Sequence, residues 1–196
     1  MENVNLEALL VDIRRCTLCE PYLPLGARPV VQVHRDASIL IAGQAPGRRV
    51  HASGIPFDDA SGDRLRQWMG VAREIFYDEC RIAIVPMGFC YPGTGPHGDL
   101  PPRPQCAATW RAALLSLLPH IQLTLVIGKY AQEYHMLPRP DSVTAAVVNW
   151  QERWPHLIAL PHPSPRNHRW LRQNPWFEAQ LLPRLRDRVS VVLQGR

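Results

Sequence analysis

Ile39-Leu40-Ile41-Ala42, running directly into Gly43-Gln44-Ala45-Pro46-Gly47, is the stretch on which the fold turns. Four apolar residues without polar alternation describe a strand buried on both faces. The Gly/Pro pentapeptide behind them cannot continue it. The same pattern returns at Leu157-Ile158-Ala159-Leu160, which ends in Pro161-His162-Pro163-Ser164-Pro165-Arg166-Asn167. Ile82 to Val85 and Leu123 to Ile127 are two further runs of this kind. The sequence therefore predicts an α/β fold, a three-layer α/β/α sandwich around a four-stranded parallel sheet. In such a sheet ligands bind beyond the carboxyl ends of the strands.

Helical spacing fills the intervals. Leu6, Leu9, Leu10 and Ile13 form one apolar stripe ending near Cys16. Ser61 is the expected N-cap of a helix burying Leu65, Trp68 and Met69. Trp110, Leu114, Leu117 and Leu118 predict another helix, Gly128-Lys129-Tyr130 opens the next, and residues from Ser142 to Trp150 a further one. Phe177, Leu181, Leu185, Val189 and Val192 face inward from a C-terminal helix. Tyr91 to Pro104, rich in Gly and Pro, is expected to be irregular.

A chain of 196 residues reads as a single domain over 1–196. No apolar run approaches the roughly 20 residues of a membrane span. Met1 to Asn5 lack the basic and apolar regions of an export signal, so a cytoplasmic protein is expected. The net charge of +5 suits an anionic partner. Lys129 is the only lysine, so arginine carries nearly all of that charge. Base composition of the genome explains such a bias as readily as phosphate recognition does. Nothing in the sequence calls for an obligate protein partner.

Five cysteines in a cytoplasmic chain are not read as disulfides. Cys16-Thr17-Leu18-Cys19 is a C-x2-C pair, while Cys90 and Cys106 bracket the long Gly/Pro stretch. Four thiolates so arranged suit a tetrahedral zinc ion or a four-iron cluster. Cys80 lies outside the pattern and is expected to be a buried thiol.

Gly-Gln-Ala-Pro-Gly after the first strand, Gly54-Ile55-Pro56-Phe57 followed by Ser61-Gly62, Gly128 after the third strand, and His162-Pro163-Ser164-Pro165 after the fourth together resemble the motifs of the uracil-DNA glycosylase superfamily. The resemblance runs from about Leu6 to Phe177 and is nearest to the iron–sulfur branches, the fourth and fifth families. It implies a DNA glycosylase of base-excision repair, with DNA as partner and a 4Fe-4S cluster on Cys16, Cys19, Cys90 and Cys106; structural zinc is the alternative.

The chemistry asks for such residues. Cleaving an N-glycosidic bond builds positive charge on the sugar and negative charge on the departing base, calling for a carboxylate on one side and a hydrogen-bond donor on the other. Extruding a base costs a few kcal/mol, which stacking on an aromatic ring offsets in part. On this resemblance Phe57 is the stacking ring. Asp59, in Asp59-Ala60-Ser61-Gly62, matches an Asp-x-Ser-Gly element and would position water. Its alternative role, shared with Asp58, is to cap the next helix. Gln44 stands where another branch has a catalytic glutamate and could orient water or read a base edge. Ala45, Gly47 and Met87 are expected to line the base site. His162 is the expected donor to the leaving base, and Ser164, Arg166 and Asn167 are expected to contact the DNA backbone, with Arg169 and Arg172 extending the charge.

One position departs from the pattern. The uracil-reading branches have an asparagine four residues before the third cysteine, where this chain has Pro86. Proline has neither a side-chain amide nor a backbone N–H. A related deaminated or damaged base therefore stands beside uracil as the expected substrate. A binding module that holds nucleic acid without cleaving it, and a nucleoside or nucleotide hydrolase, are the two alternatives.

Overall fold

The computed structural model describes residues 5–96 and 98–195. Among them the strands are β1 (Ile39–Ala42), β2 (Ile82–Ile84), β3 (Thr94–Gly95), β4 (Gly98–Asp99), β5 (Leu123–Ile127) and β6 (Leu157–Leu160). The helices are α1 (Leu6–Arg14), α2 (Arg48–Ser53), α3 (Ala60–Met69), α4 (Arg73–Phe76), α5 (Pro104–Cys106), α6 (Ala112–Ser116), α7 (Lys129–His135), α8 (Val143–Val148), α9 (His168–Gln173) and α10 (Leu182–Gln194).

The main sheet has the order β2-β1-β5-β6, with every pair parallel. Ile39 lies beside Ile82 and Leu123, and Leu125 beside Ile158. Successive side chains on a strand point to opposite faces, and both faces are covered here. Ile39, Ile41, Ile82 and Ile84 pack with Leu65 and Trp68 of α3 and Leu185 and Val189 of α10. Leu40 and Ala83 pack with Leu9, Leu10 and Ile13 of α1 and with Leu114 of α6. Such two-sided burial explains why the strands read as unbroken apolar runs.

From β1 the chain passes to β2 on one side, whereas β5 leads to β6 on the other. The winding therefore reverses between the carboxyl ends of β1 and β5, and a crevice opens at such a switch point. The expected α/β sandwich with a four-stranded parallel sheet is thus the observed fold.

Several local expectations change. Helix α3 starts at Ala60 with Asp59, not Ser61, as its N-cap. Tyr91 to Pro104 is not wholly irregular, because Thr94–Gly95 and Gly98–Asp99 pair as a short antiparallel ladder. The helix expected around Trp110 begins earlier, at Pro104, and passes through a wide turn at Ala107–Arg111 before α6. The C-terminal helix likewise opens with a wide turn over Phe177–Leu181. Helix α8 stops at Val148, capped at its start by Ser142, whose Oγ accepts from the Ala145 N–H at 3.0 Å. Cys80 is half-buried rather than buried. Among the described residues no helix is long and apolar enough to cross a membrane.

Candidate active site

At the switch point lies an open cleft of about 490 Å³, walled by the loops after β1, β2 and β6 and by the β3–β4 hairpin. Gln44, Ala45, Gly47, Phe57, Asp59, His162, Ser164, Arg166 and Asn167 all line it. Segments remote in sequence thus meet at one rim. Met87 does not join them: its side chain is buried in the core, and Pro86 is the residue of that loop facing the cleft.

Phe57 has φ +55°, the only positive value for a non-glycine among the described residues. A bulky side chain in the left-handed region is strained, and such strain is concentrated at functional sites. Gly62 makes the turn possible, since a Cβ there would stand 1.7 Å from the Phe57 carbonyl oxygen. The ring lies half-buried against Gly43, whose added Cβ would be 3.4 Å from Phe57 Cζ, and meets Phe76 edge-on at 6.2 Å.

Asp59 caps α3 and faces the cleft at once. Its Oδ1 accepts from the Ser61 and Gly62 N–H groups at 2.9 and 3.0 Å. Its Oδ2 lies on the side of Gly47, 4.0 Å from where a Cβ on that glycine would be. The two roles weighed for this residue are therefore compatible, because the cap fixes the carboxylate's orientation.

His162 leaves β6 between two prolines. Its Nδ1 accepts from the Ser164 N–H at 3.2 Å, which leaves the proton of the neutral ring on Nε2. Burial lowers its pKa, and the Asp59 and Asp99 carboxylates pull in the opposite direction. Asn167 Nδ2 donates to the His162 carbonyl at 2.6 Å and holds the loop shut behind it. Ser164 Oγ accepts from the Arg166 N–H at 3.2 Å, and Arg64 of α3 donates to the Ser164 carbonyl at 3.1 Å. Arg166 reaches over the hairpin, with a guanidinium nitrogen 3.0 Å from the position of a Cβ on Gly98.

Gln44 works as a brace. Its Nε2 donates to the Leu100 carbonyl at 3.0 Å, tying the loop after β1 to the chain after β4. A second, longer contact of the same nitrogen reaches the Asp99 carbonyl at 3.5 Å, so it is the amide oxygen that is left for a ligand.

Sequence reasoning missed Asp99, a second carboxylate in the cleft. Thr94 Oγ1 donates to its Oδ1 at 3.0 Å and in turn lies 2.6 Å from the Tyr91 hydroxyl. The signal was a lone acid between glycine and proline turn residues. Arg111 was also missed. Fully buried, it donates to the carbonyls of Val85 and Pro86 at 2.8 and 2.9 Å and lies 2.6 Å from His135 Nε2. It fixes the backbone that carries Pro86 into the cleft. Burial lowers its pKa to about 10.

Behind the cleft, Cys16, Cys19, Cys90 and Cys106 surround one small hollow with Leu18, Leu23, Phe89 and Trp110. The Phe89 N–H donates to Cys106 Sγ at 3.3 Å and Trp110 Nε1 to Cys16 Sγ at 3.4 Å. Arg103 adds positive charge beside Cys19. Burial pushes the thiols of Cys90 and Cys106 up to about 11 and about 12. Among the described residues no three His, Cys, Asp or Glu side chains gather tightly enough to hold a single metal ion.

Residues 31–186 match the family model described as Uracil DNA glycosylase superfamily. The match takes in every strand and every cleft residue named above, together with Cys90 and Cys106, and begins after Cys16 and Cys19.

Proposed function

The chain belongs to the uracil-DNA glycosylase superfamily, and from that premise we propose that it hydrolyses the N-glycosidic bond of a deaminated or damaged base in DNA. The observation that carries this reading is the meeting of Phe57, Asp59 and His162 in one cleft at the switch point of the sheet.

The extruded base stacks on the Phe57 ring, whose strained backbone holds it at the cleft wall. Asp59, with one oxygen locked into the α3 cap, offers the other to water and to the positive charge growing on the sugar. His162, whose pKa is lowered by burial and whose Nδ1 accepts from the Ser164 N–H, donates Nε2–H to the base as it takes up the bonding electrons. Ser164, Arg166 and Asn167 form the rim where the DNA backbone passes.

Cleft chemistry also bears on the base. Pro86 offers no donor to a carbonyl oxygen of the base, and Gln44 spends its amide hydrogens on the protein. Discrimination built on a hydrogen-bonded edge is lost when the partner is missing. A substrate range wider than uracil alone, covering hypoxanthine and xanthine, follows from this.

Within the same proposal Cys16, Cys19, Cys90 and Cys106 hold a 4Fe-4S cluster in place of the alternative zinc. An all-thiol donor set around an apolar hollow, with N–H groups directed at two sulfurs, suits that group. The cluster's contribution is structural, joining the end of α1 to the loop after β2.

Incubating the protein with oligonucleotides that carry uracil, hypoxanthine or xanthine, then heating in alkali, tests the reading. Strand breakage at one or more lesions is expected. Salt-sensitive binding of all three without breakage would instead favour the non-cleaving module that Pro86 also suggests.

A further inference from the structure

Asp59 and Asp99 both line the cleft, and each brings a carboxylate oxygen near Gly47. A Cβ on Gly47 would stand 4.0 Å from Asp59 Oδ2 and 3.4 Å from Asp99 Oδ2. Each carboxylate has its other oxygen anchored, Asp59 by two backbone N–H groups and Asp99 by the Thr94 hydroxyl. Both are near enough to His162 for their charges to act on it. Gly47 itself has φ −77°, a value any residue adopts. Glycine is therefore not needed there for the backbone; its effect is to leave room between two free carboxylate oxygens.

We infer that Asp99 is a second catalytic carboxylate and that it grips, together with Asp59, one water in the space over Gly47. The inference rests on the glycosylase reading and deepens it. A water donating both hydrogens to two carboxylates has its lone pairs turned away from them, toward the sugar. In the step, a bond forms between the water oxygen and C1′ while the C1′–N bond breaks. The bonding pair leaves with the base, which is stabilised by His162 Nε2–H. The proton of the attacking water passes to one of the two carboxylates and from there to solvent. Two acceptors hold that oxygen in line better than one, since a lone acceptor leaves the second hydrogen free to turn the molecule. The pair also concentrates negative charge beside the cationic sugar.

Single-turnover base release at saturating enzyme, on whichever lesion the wild-type protein cleaves, tests this. Asp99→Asn keeps an acceptor for Thr94 but presents a poorer or misdirected group to water, and is expected to slow release by about a hundredfold with DNA affinity unchanged. Gly47→Ala adds a methyl at ordinary contact distance, so it should fold normally and slow release comparably by filling the space. The Asp59→Asn/Asp99→Asn pair should be little slower than Asp59→Asn alone, because one water is shared. If the wild type releases base and Asp99→Asn matches it, the inference fails while the glycosylase reading stands. Release that is undiminished but shifted to a different base would make Asp99 a base reader and would equally overturn it. No release by the wild type from any lesion overturns both. A melting midpoint for Asp99→Asn within a few degrees of wild type excludes a folding defect.

Discussion

The carbonyl oxygen of Phe57 lies 1.7 Å from the point where a Cβ on residue 62 would stand, so only glycine at 62 lets the chain turn back over the start of α3. Residues five apart thereby fix both the strained φ of the ring-bearing residue and the cap that orients Asp59. The site and the local fold share one backbone solution.

Gly62→Ala is accordingly expected to reverse the usual rule. Within a helix, alanine in place of glycine normally stabilises by about 1 kcal/mol. Here the methyl meets backbone that cannot yield, and a loss of about 2 kcal/mol or more is expected from denaturant titration. Base release should fall with it, because Phe57 and Asp59 are both displaced.

The four strands were legible because burial on both faces leaves uninterrupted apolar runs; His162 was legible because it follows such a run, and Phe57 and Asp59 because they stand in the Gly54–Gly62 motif. The hairpin that carries Asp99 was not. Strands of two residues have no periodicity, and this pair is held by the Tyr91–Thr94–Asp99 side-chain chain and the Gln44 brace. Arg111 was hidden for a different reason: a guanidinium in a helix reads as surface until its carbonyl partners, 25 and 26 residues away, come into view. Met87 was expected in the base site, yet neighbouring residues of extended chain face opposite ways, and it is Pro86 that faces the cleft. The Ser61 assignment failed by two residues, since Asp59 accepts from the Ser61 and Gly62 N–H groups and so opens the helix earlier.

Acid should destabilise the protein through His135. Burial, and then the Arg111 charge, lowers its pKa from the ordinary 6.5 to about 3. Below pH 6.5 the unfolded chain takes up a proton that the folded chain refuses, so stability is full above that pH and falls as pH drops toward 3. His162 shifts in the same direction. His135→Gln keeps an acceptor for Arg111 and removes this titration, so its melting temperature should fall less steeply than wild type between pH 7 and pH 4, by roughly 5 °C. Parallel curves would assign the acid limb to other groups.

Protein purified without oxygen should be brown and carry about four irons per chain. Cys106→Ser should remove the colour and lower the melting temperature, since the loop after β2 loses its anchor to α1. A colourless protein with one zinc per chain would replace the cluster with the tetrahedral alternative.

Arg166 stands at the cleft rim, where it can neutralise a phosphate. Arg166→Ala should weaken binding to lesion-bearing DNA and reduce the slope of log affinity against log salt by about 1. An unchanged slope would place its charge away from the DNA path.

The most direct measurement is base release from a lesion-bearing oligonucleotide by the wild type and by Asp59→Asn, read as alkali-labile strand breaks in a single turnover. Asp59→Asn retains an oxygen to cap α3, so it should fold as the wild type does. The expected result is cleavage by the wild type and a loss of about a hundredfold or more in the variant. Equal rates for the two proteins, or intact strands with every lesion that the wild type binds, would contradict a hydrolytic cleft built on Phe57, Asp59 and His162.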